Sequence, residues 1–164
     1  RQAFEKGIDT DVVIACAQAC RTREGFQHHL SGAMGARKLR ILLVDDEESY
    51  LDLLKMNIER TGRYEVQTES DPTAAVKHIE EFRPDLCVID VIMPEMDGFE
   101  LIHVIREKSH LSSVPLIMLT ALLRDSDDDA RTHENTLVLS KPVDTKRLLY
   151  CIDEHVRSSG AASP

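Results

Sequence analysis

The 164 residues suffice for one domain of ordinary size plus a tail, and 42% hydrophobic residues can fill a single core. The formal charge of -9 divides into +2 over residues 1–38 and -11 over residues 39–164, a balance that argues against nucleic acid and for cations or basic protein surfaces. No apolar run approaches the roughly 18 to 20 residues that span a bilayer, no secretory pattern opens the chain, and four scattered cysteines do not make a disulfide scaffold, so a soluble protein of the reducing cytoplasm is expected.

Residues 1–38 are expected to be an N-terminal extension or arm. Cys16 and Cys20 at i, i+4 with His28 and His29 could be read as a zinc site, but the spacing lacks the closely paired ligands of stronger zinc motifs. A short, partly amphipathic helix or a disordered arm suits the stretch better. The chain does not begin with Met, and Met34 precedes "GARKLRILLVDD", so an upstream extension or a fragment boundary is a third reading.

From Leu39 the pattern becomes a strict alternation. "LRILLVDD" (39–46) predicts a strand that ends in two carboxylates. A helix comes next, with Leu51, Leu54 and Ile58 on one face and Gly62 placed to end it. "YEVQTES" (64–70) alternates as a half-buried strand. "DPTAAVKHIEEF" (71–82) opens a helix with Asp71 as N-cap and Pro72 at the first helical position.

"PDLCVID" (84–90) predicts the third strand, and "GFELIHVIREK" (98–108) a helix with Leu101, Val104 and Ile105 inward. "VPLIMLT" (114–120) is nearly all apolar, as in a strand covered on both faces. "RDSDDDART" (124–132) predicts a helix opening on acidic residues, "TLVLS" (136–140) the fifth strand, and "DTKRLLYCIDEHVR" (144–157) the last helix. "SSGAASP" (158–164) reads as a flexible tail.

Five strand-helix units imply an α/β fold, a doubly wound parallel sheet with right-handed crossovers, whose ligands bind beyond the carboxyl ends of the strands. Asp45 and Asp46 stand after strand one, Asp90 ends strand three, Thr120 ends strand four, and Lys141 with Pro142 stands after strand five. One aspartate after a strand is usually a cap or a loop residue, and Asp45 alone could cap the first helix. The conjunction at four strand ends points to a site. Three carboxylates drawn together need a cation, and hard oxygen ligands suit Mg²⁺.

The motifs "LLVDDEE", "VIDVIMPEMDG", "LTA" and "SKP" make residues 39–157 resemble the receiver domain of two-component response regulators. The resemblance implies a flavodoxin-like (βα)5 fold with strand order 2-1-3-4-5. It implies that Asp90 accepts a phosphoryl group from a phosphohistidine on a histidine kinase or phosphotransfer protein. Asp46 would bind Mg²⁺ directly, Asp45 through water, with Asp90 and the backbone carbonyl of Ile92 completing the set. Thr120 and Lys141 would meet the phosphoryl oxygens, with a cis Pro142 aiming Lys141 inward. Such a domain catalyses its own Mg²⁺-dependent phosphorylation and slow autodephosphorylation, and turns over no small substrate.

Three departures from the family pattern stand out. Val138 occupies the place of a common aromatic three residues before the lysine, and Glu134-Asn135 replaces a frequent Gly-Ala. Ile92 and Leu122 stand where polar side chains can place the hydrolytic water. The alternative function is a pseudo-receiver that binds partners without phosphoryl chemistry, which would be marked by loss of a pocket acid or the lysine. An aspartyl phosphatase is disfavoured, because Ile92 and not an acid lies two residues after Asp90. The kinase, the output partner and the oligomeric state leave no mark in the sequence.

Overall fold

A computed structural model describes residues 37–121, 130–132 and 135–159. The arm with Cys16, Cys20, His28 and His29, the stretch 122–129 with Leu122, residues 133–134 with Glu134, and the tail from residue 160 lie outside the described residues. Strand β1 (Leu39–Val44) leads to helix α1 (Glu48–Glu59), β2 (Tyr64–Glu69), α2 (Pro72–Phe82), β3 (Leu86–Asp90), α3 (Gly98–Glu107) and β4 (Leu116–Thr120). Then come β5 (Ala130–Thr132), β6 (Thr136–Ser140) and α4 (Thr145–Ser158).

The sheet order is β2-β1-β3-β4-β6-β5. Five strands are parallel and take the expected flavodoxin-like order, while β5 is an antiparallel addition at the edge. The registers place Val44 beside Ile89, Asp90 beside Leu119, and Thr120 beside Ser140. The polar strand ends are therefore level along one edge of the sheet.

Alternation in β1 divides the core in two. Ile41 and Leu43 face α1 and α4, joining Leu54, Ile58, Leu148 and Ile152. Leu42 and Val44 face the opposite way, toward Ala75, Ile79 and Phe82 of α2 and Leu101 and Ile105 of α3. Each such side chain, fully removed from water, contributes about 1.5–3 kcal/mol. With apolar residues on both faces, β3 and β4 are buried throughout.

Local signals set the helix ends. The Asp71 carboxylate accepts from the Thr73 N–H, with Pro72 in the first turn. Asp97 and Glu100 form a reciprocal capping box on α3. Asp144 accepts from the N–H groups of Lys146 and Arg147 at the start of α4. Gly62, at φ 74°, turns the chain from α1 toward β2, a conformation that costs glycine little.

Two sequence expectations are corrected. Residues 130–132 are not helical; they pair antiparallel with β6, Thr132 against Thr136, and Asn135 takes φ 61° in the intervening turn. Asparagine tolerates this left-handed conformation well, and pairing with β6 satisfies backbone groups that a short helix would leave open. In α3, Val104 and Ile102 are both half-buried, and it is Ile102 that packs against the core beside Leu101 and Ile105. The helix is turned so that its apolar stripe lies one step away from the expected residue.

Arg37, placed by sequence in the N-terminal extension, is tied to the fold. Its guanidinium donates to both carboxylate oxygens of Asp85 at 2.8 and 2.6 Å, and Asp85 also accepts from the Arg40 N–H at 2.8 Å.

Candidate functional site

At the carboxyl edge of the sheet β1 and β3 deliver acids and β6 delivers a base. Asp45 is 3% exposed and Asp90 7%, while Asp46 is exposed. One carboxylate oxygen from each of the three lies within 4.8 Å of the others. Like charges at that separation repel strongly, so the arrangement requires cations.

Lys141 supplies one. Its ammonium donates to Asp45 Oδ2 at 2.5 Å and lies 3.0 Å from Asp90 Oδ1. The Lys141-Pro142 peptide is cis, as the resemblance implied. The Lys141 N–H donates to the Thr120 carbonyl at 2.8 Å, joining the ends of β4 and β6. Thr120 is buried beside this junction. The other oxygen of Asp45, Oδ1, accepts from the Glu47 N–H at 3.0 Å, so the carboxylate is fixed from both sides.

These contacts set the titration directions. Burial raises the Asp90 carboxyl above its ordinary range and Asp45 adds to the rise, against the hydrogen bond and charge of Lys141 and the Ile92 N–H. Burial acts to lower the Lys141 ammonium, but its bonds to Asp45 and Asp90 prevail and raise it. The lysine stays charged because the acids hold it.

The loop after β3 is held by close backbone contact. The Gly98 N–H donates to the Val91 carbonyl at 2.9 Å, and Val91 N–H to the Leu119 carbonyl at 2.8 Å. The Ile92 side chain is exposed beside the acids. A three-carboxylate set of hard oxygens with two buried members fits a divalent cation such as Mg²⁺ by charge and ligand type. The structure thus brings Asp45, Asp46, Asp90 and Lys141 together, with Thr120 and Ile92 at the same edge.

One neighbour was not singled out from the sequence. The ring of Tyr50, in the first turn of α1, lies 4.7 Å from the Lys141 ammonium. The only signal for it is an aromatic one turn beyond Asp46, adjacent to but outside the Leu51, Leu54, Ile58 stripe.

Comparison with known proteins agrees with this geometry. A family model described as "Response regulator receiver domain" matches residues 41–153. The chain belongs to that family, the phosphorylation-controlled switches of two-component systems. It is 46% identical over 82 residues to the alkaline phosphatase synthesis transcriptional regulatory protein PhoP of Bacillus subtilis (strain 168), a match covering 50% of this chain but 33% of that protein. It is 37% identical over 119 residues to an uncharacterised 14.6 kDa protein of Leptolyngbya boryana, covering 72% of this chain and 90% of that one. The signal receiver domain of a signal transduction histidine kinase from Syntrophus aciditrophicus superposes with a TM-score of 0.62 at 28% identity, covering 73% and 90% of the two chains.

Proposed function

We propose that Asp90 is the phosphoryl acceptor of this receiver and that a phosphohistidine on a histidine kinase or phosphotransfer protein is the donor. One observation carries the assignment: Asp90 is a buried strand-end carboxylate that shares the Lys141 ammonium with Asp45 inside a three-acid cluster. In the transfer an Asp90 oxygen forms a bond to phosphorus and the phosphorus–nitrogen bond breaks. Its electron pair returns to the imidazole, which takes up a proton.

Such transfers proceed by positioning and charge neutralisation, with little covalent work for the protein. Lys141 stands ready to meet the phosphoryl oxygens, and the Thr120 hydroxyl is the group at hand to close onto them. Asp46, Asp90 and the Ile92 carbonyl would hold Mg²⁺, with Asp45 reaching it through water. The ion, when bound, neutralises charge on the phosphoryl group. Asp45 is held from both sides, by the Glu47 N–H and by Lys141, which fixes its place in the cluster.

Residues 39–157 form the receiver in this reading, with 1–38 as an arm and 158–164 as a tail. The excess of acidic groups beyond residue 38 supports a protein partner rather than nucleic acid. No helix among the described residues is long and apolar enough to cross a membrane. Cys87, a buried thiol inside β3, supports a reducing, cytoplasmic setting. A phosphorylation-independent pseudo-receiver is not favoured, since all three pocket acids and the lysine are present.

The test is incubation with acetyl phosphate or phosphoramidate and Mg²⁺, then intact mass measurement. One phosphoryl mass is expected on the natural sequence and none on Asp90→Asn. Equal labelling of the Asn variant would overturn the assignment.

A further inference from the structure

Lys141 has three N–H donors, and two of them are directed at Asp45 and Asp90. An ammonium on a four-carbon stem is otherwise free to swing among positions. The Tyr50 ring provides a third wall, 4.7 Å from the nitrogen, within the range at which a cation is drawn to an aromatic face.

Tyr50 is itself anchored. Its N–H donates to the Glu47 carbonyl at 3.0 Å, and Glu47 in turn donates its own N–H to Asp45. The ring packs at the margin of the core formed by α1, α4 and one sheet face, where Val143 of the loop after Lys141 also packs. Its hydroxyl is buried near the Val143 backbone but makes no hydrogen bond of ordinary geometry among the described residues. A buried hydroxyl without a good partner costs stability, and phenylalanine would avoid that cost. The aromatic face is the part of the side chain in contact with the Lys141 ammonium, and Tyr50→Phe separates its effect from that of the hydroxyl.

Val138, at the position of the aromatic common in this family, is a buried aliphatic within β6. It offers no π face to any group of the site. Among the described residues, Tyr50 is the aromatic that faces the ammonium.

We infer that Tyr50 is a positioning residue, whose ring face holds the Lys141 ammonium between Asp45 and Asp90. The use of that position in phosphoryl transfer rests on the function proposed above; the position itself does not.

The test uses the full chain with Tyr50→Leu, which keeps apolar bulk and removes the face, and Tyr50→Phe, which keeps the face and removes the hydroxyl. The first readout is the NMR shift of the Lys141 ε-methylene protons without metal or phosphodonor. Ring-current displacement is expected in the natural chain and in Tyr50→Phe, and its loss in Tyr50→Leu. The second is the rate of phosphorylation by phosphoramidate at saturating donor and Mg²⁺, expected to fall about fivefold in Tyr50→Leu and to be largely restored in Tyr50→Phe. A Lys141 shift unchanged in Tyr50→Leu would overturn the inference, as would a phosphorylation rate equal to the natural one. Equal slowing in the Leu and Phe variants would overturn it too, by assigning the effect to the hydroxyl. Should no variant and not even the natural chain be phosphorylated, the phosphoacceptor reading fails, while the ring-current result still decides the position of Lys141.

Discussion

Gly98 and Asp90 meet backbone to backbone: a Cβ at residue 98 would stand 2.3 Å from the Asp90 carbonyl oxygen and 3.0 Å from the Val91 Cα. Neither neighbour yields easily, because both are backbone atoms: Asp90 ends β3 in register with Leu119, and the Val91 N–H is tied to the Leu119 carbonyl. Gly98→Ala is expected to lower stability by about 2–3 kcal/mol, the range of overpacked interior sites. Urea unfolding measures it, and the same variant should accept phosphate poorly because Asp90 shifts. A midpoint within experimental error of the natural chain would contradict the close approach.

A divalent cation at the three-acid cluster would share Asp45 and Asp90 with the Lys141 ammonium, which lies 2.5 and 3.0 Å from their carboxylates. Lys141→Ala should therefore tighten Mg²⁺ binding by about tenfold, near 1.4 kcal/mol, while slowing phosphorylation. Isothermal titration gives the first quantity and intact mass the second. Weaker Mg²⁺ binding in the variant would mean that the lysine supports the metal site.

The lifetime of the phosphorylated form depends on water placed behind phosphorus. The Ile92 side chain is exposed at the site and cannot hydrogen-bond a water, and neither can that of Leu122, whose position lies outside the described residues. Slow loss of phosphate is expected. Ile92→Asn combined with Leu122→Glu should accelerate it, observed as decay of the phosphorylated mass. No acceleration would show that something other than water placement sets the rate.

The paired contact from Arg37 to Asp85 separates two truncations. A fragment beginning at Met34 retains Arg37 and should match the parent in cooperativity and Mg²⁺ affinity. One beginning at Lys38 loses the guanidinium and should be less stable by up to about 1 kcal/mol. Thermal melts of the two fragments distinguish them, and a Met34 fragment that collapses would mean that the arm packs on the core.

Cys87 sits inside β3, and burial pushes its thiol up to about 12, slightly relieved by the charge of Arg106. It should resist iodoacetamide in the native protein at pH 9 and react after unfolding. The linkage has a definite sign. A thiol held protonated in the fold contributes stability below the ordinary thiol range, and that contribution is lost as pH rises from about 9. Urea midpoints between pH 8 and 10.5 check the direction, with Cys87→Ala flattening the slope.

The five parallel strands were legible because four are short apolar runs, the second alternates as a half-buried strand should, and four deliver a polar group at one end; their order came only with the resemblance to the receiver family. Asp71, Asp97 and Asp144 each cap a helix, and Asp71 stood out in the sequence because a proline comes next. β5 was hidden because three residues carry no period, and the acids before them resemble the start of a helix. Ile102 and Val104 are both aliphatic, so only the rotation of α3 decides between them. Tyr50 escaped notice because an aromatic beside an amphipathic stripe resembles ordinary core margin. Its contact is with Lys141, far along the chain and reached only through the sheet order.

The short hairpin made by β5 and β6 has a consequence for solubility. β6 would otherwise present a five-residue row of open backbone groups to any passing chain. With Ala130–Thr132 laid along it, the edge strand on that side among the described residues is three residues long and runs against the direction of the others. So brief a template offers little for a second sheet to join, and the direction of pairing it would impose differs from that of the parallel body. The sheet is guarded there against edge-to-edge association by its own backbone, at the end that lies next to the lysine strand.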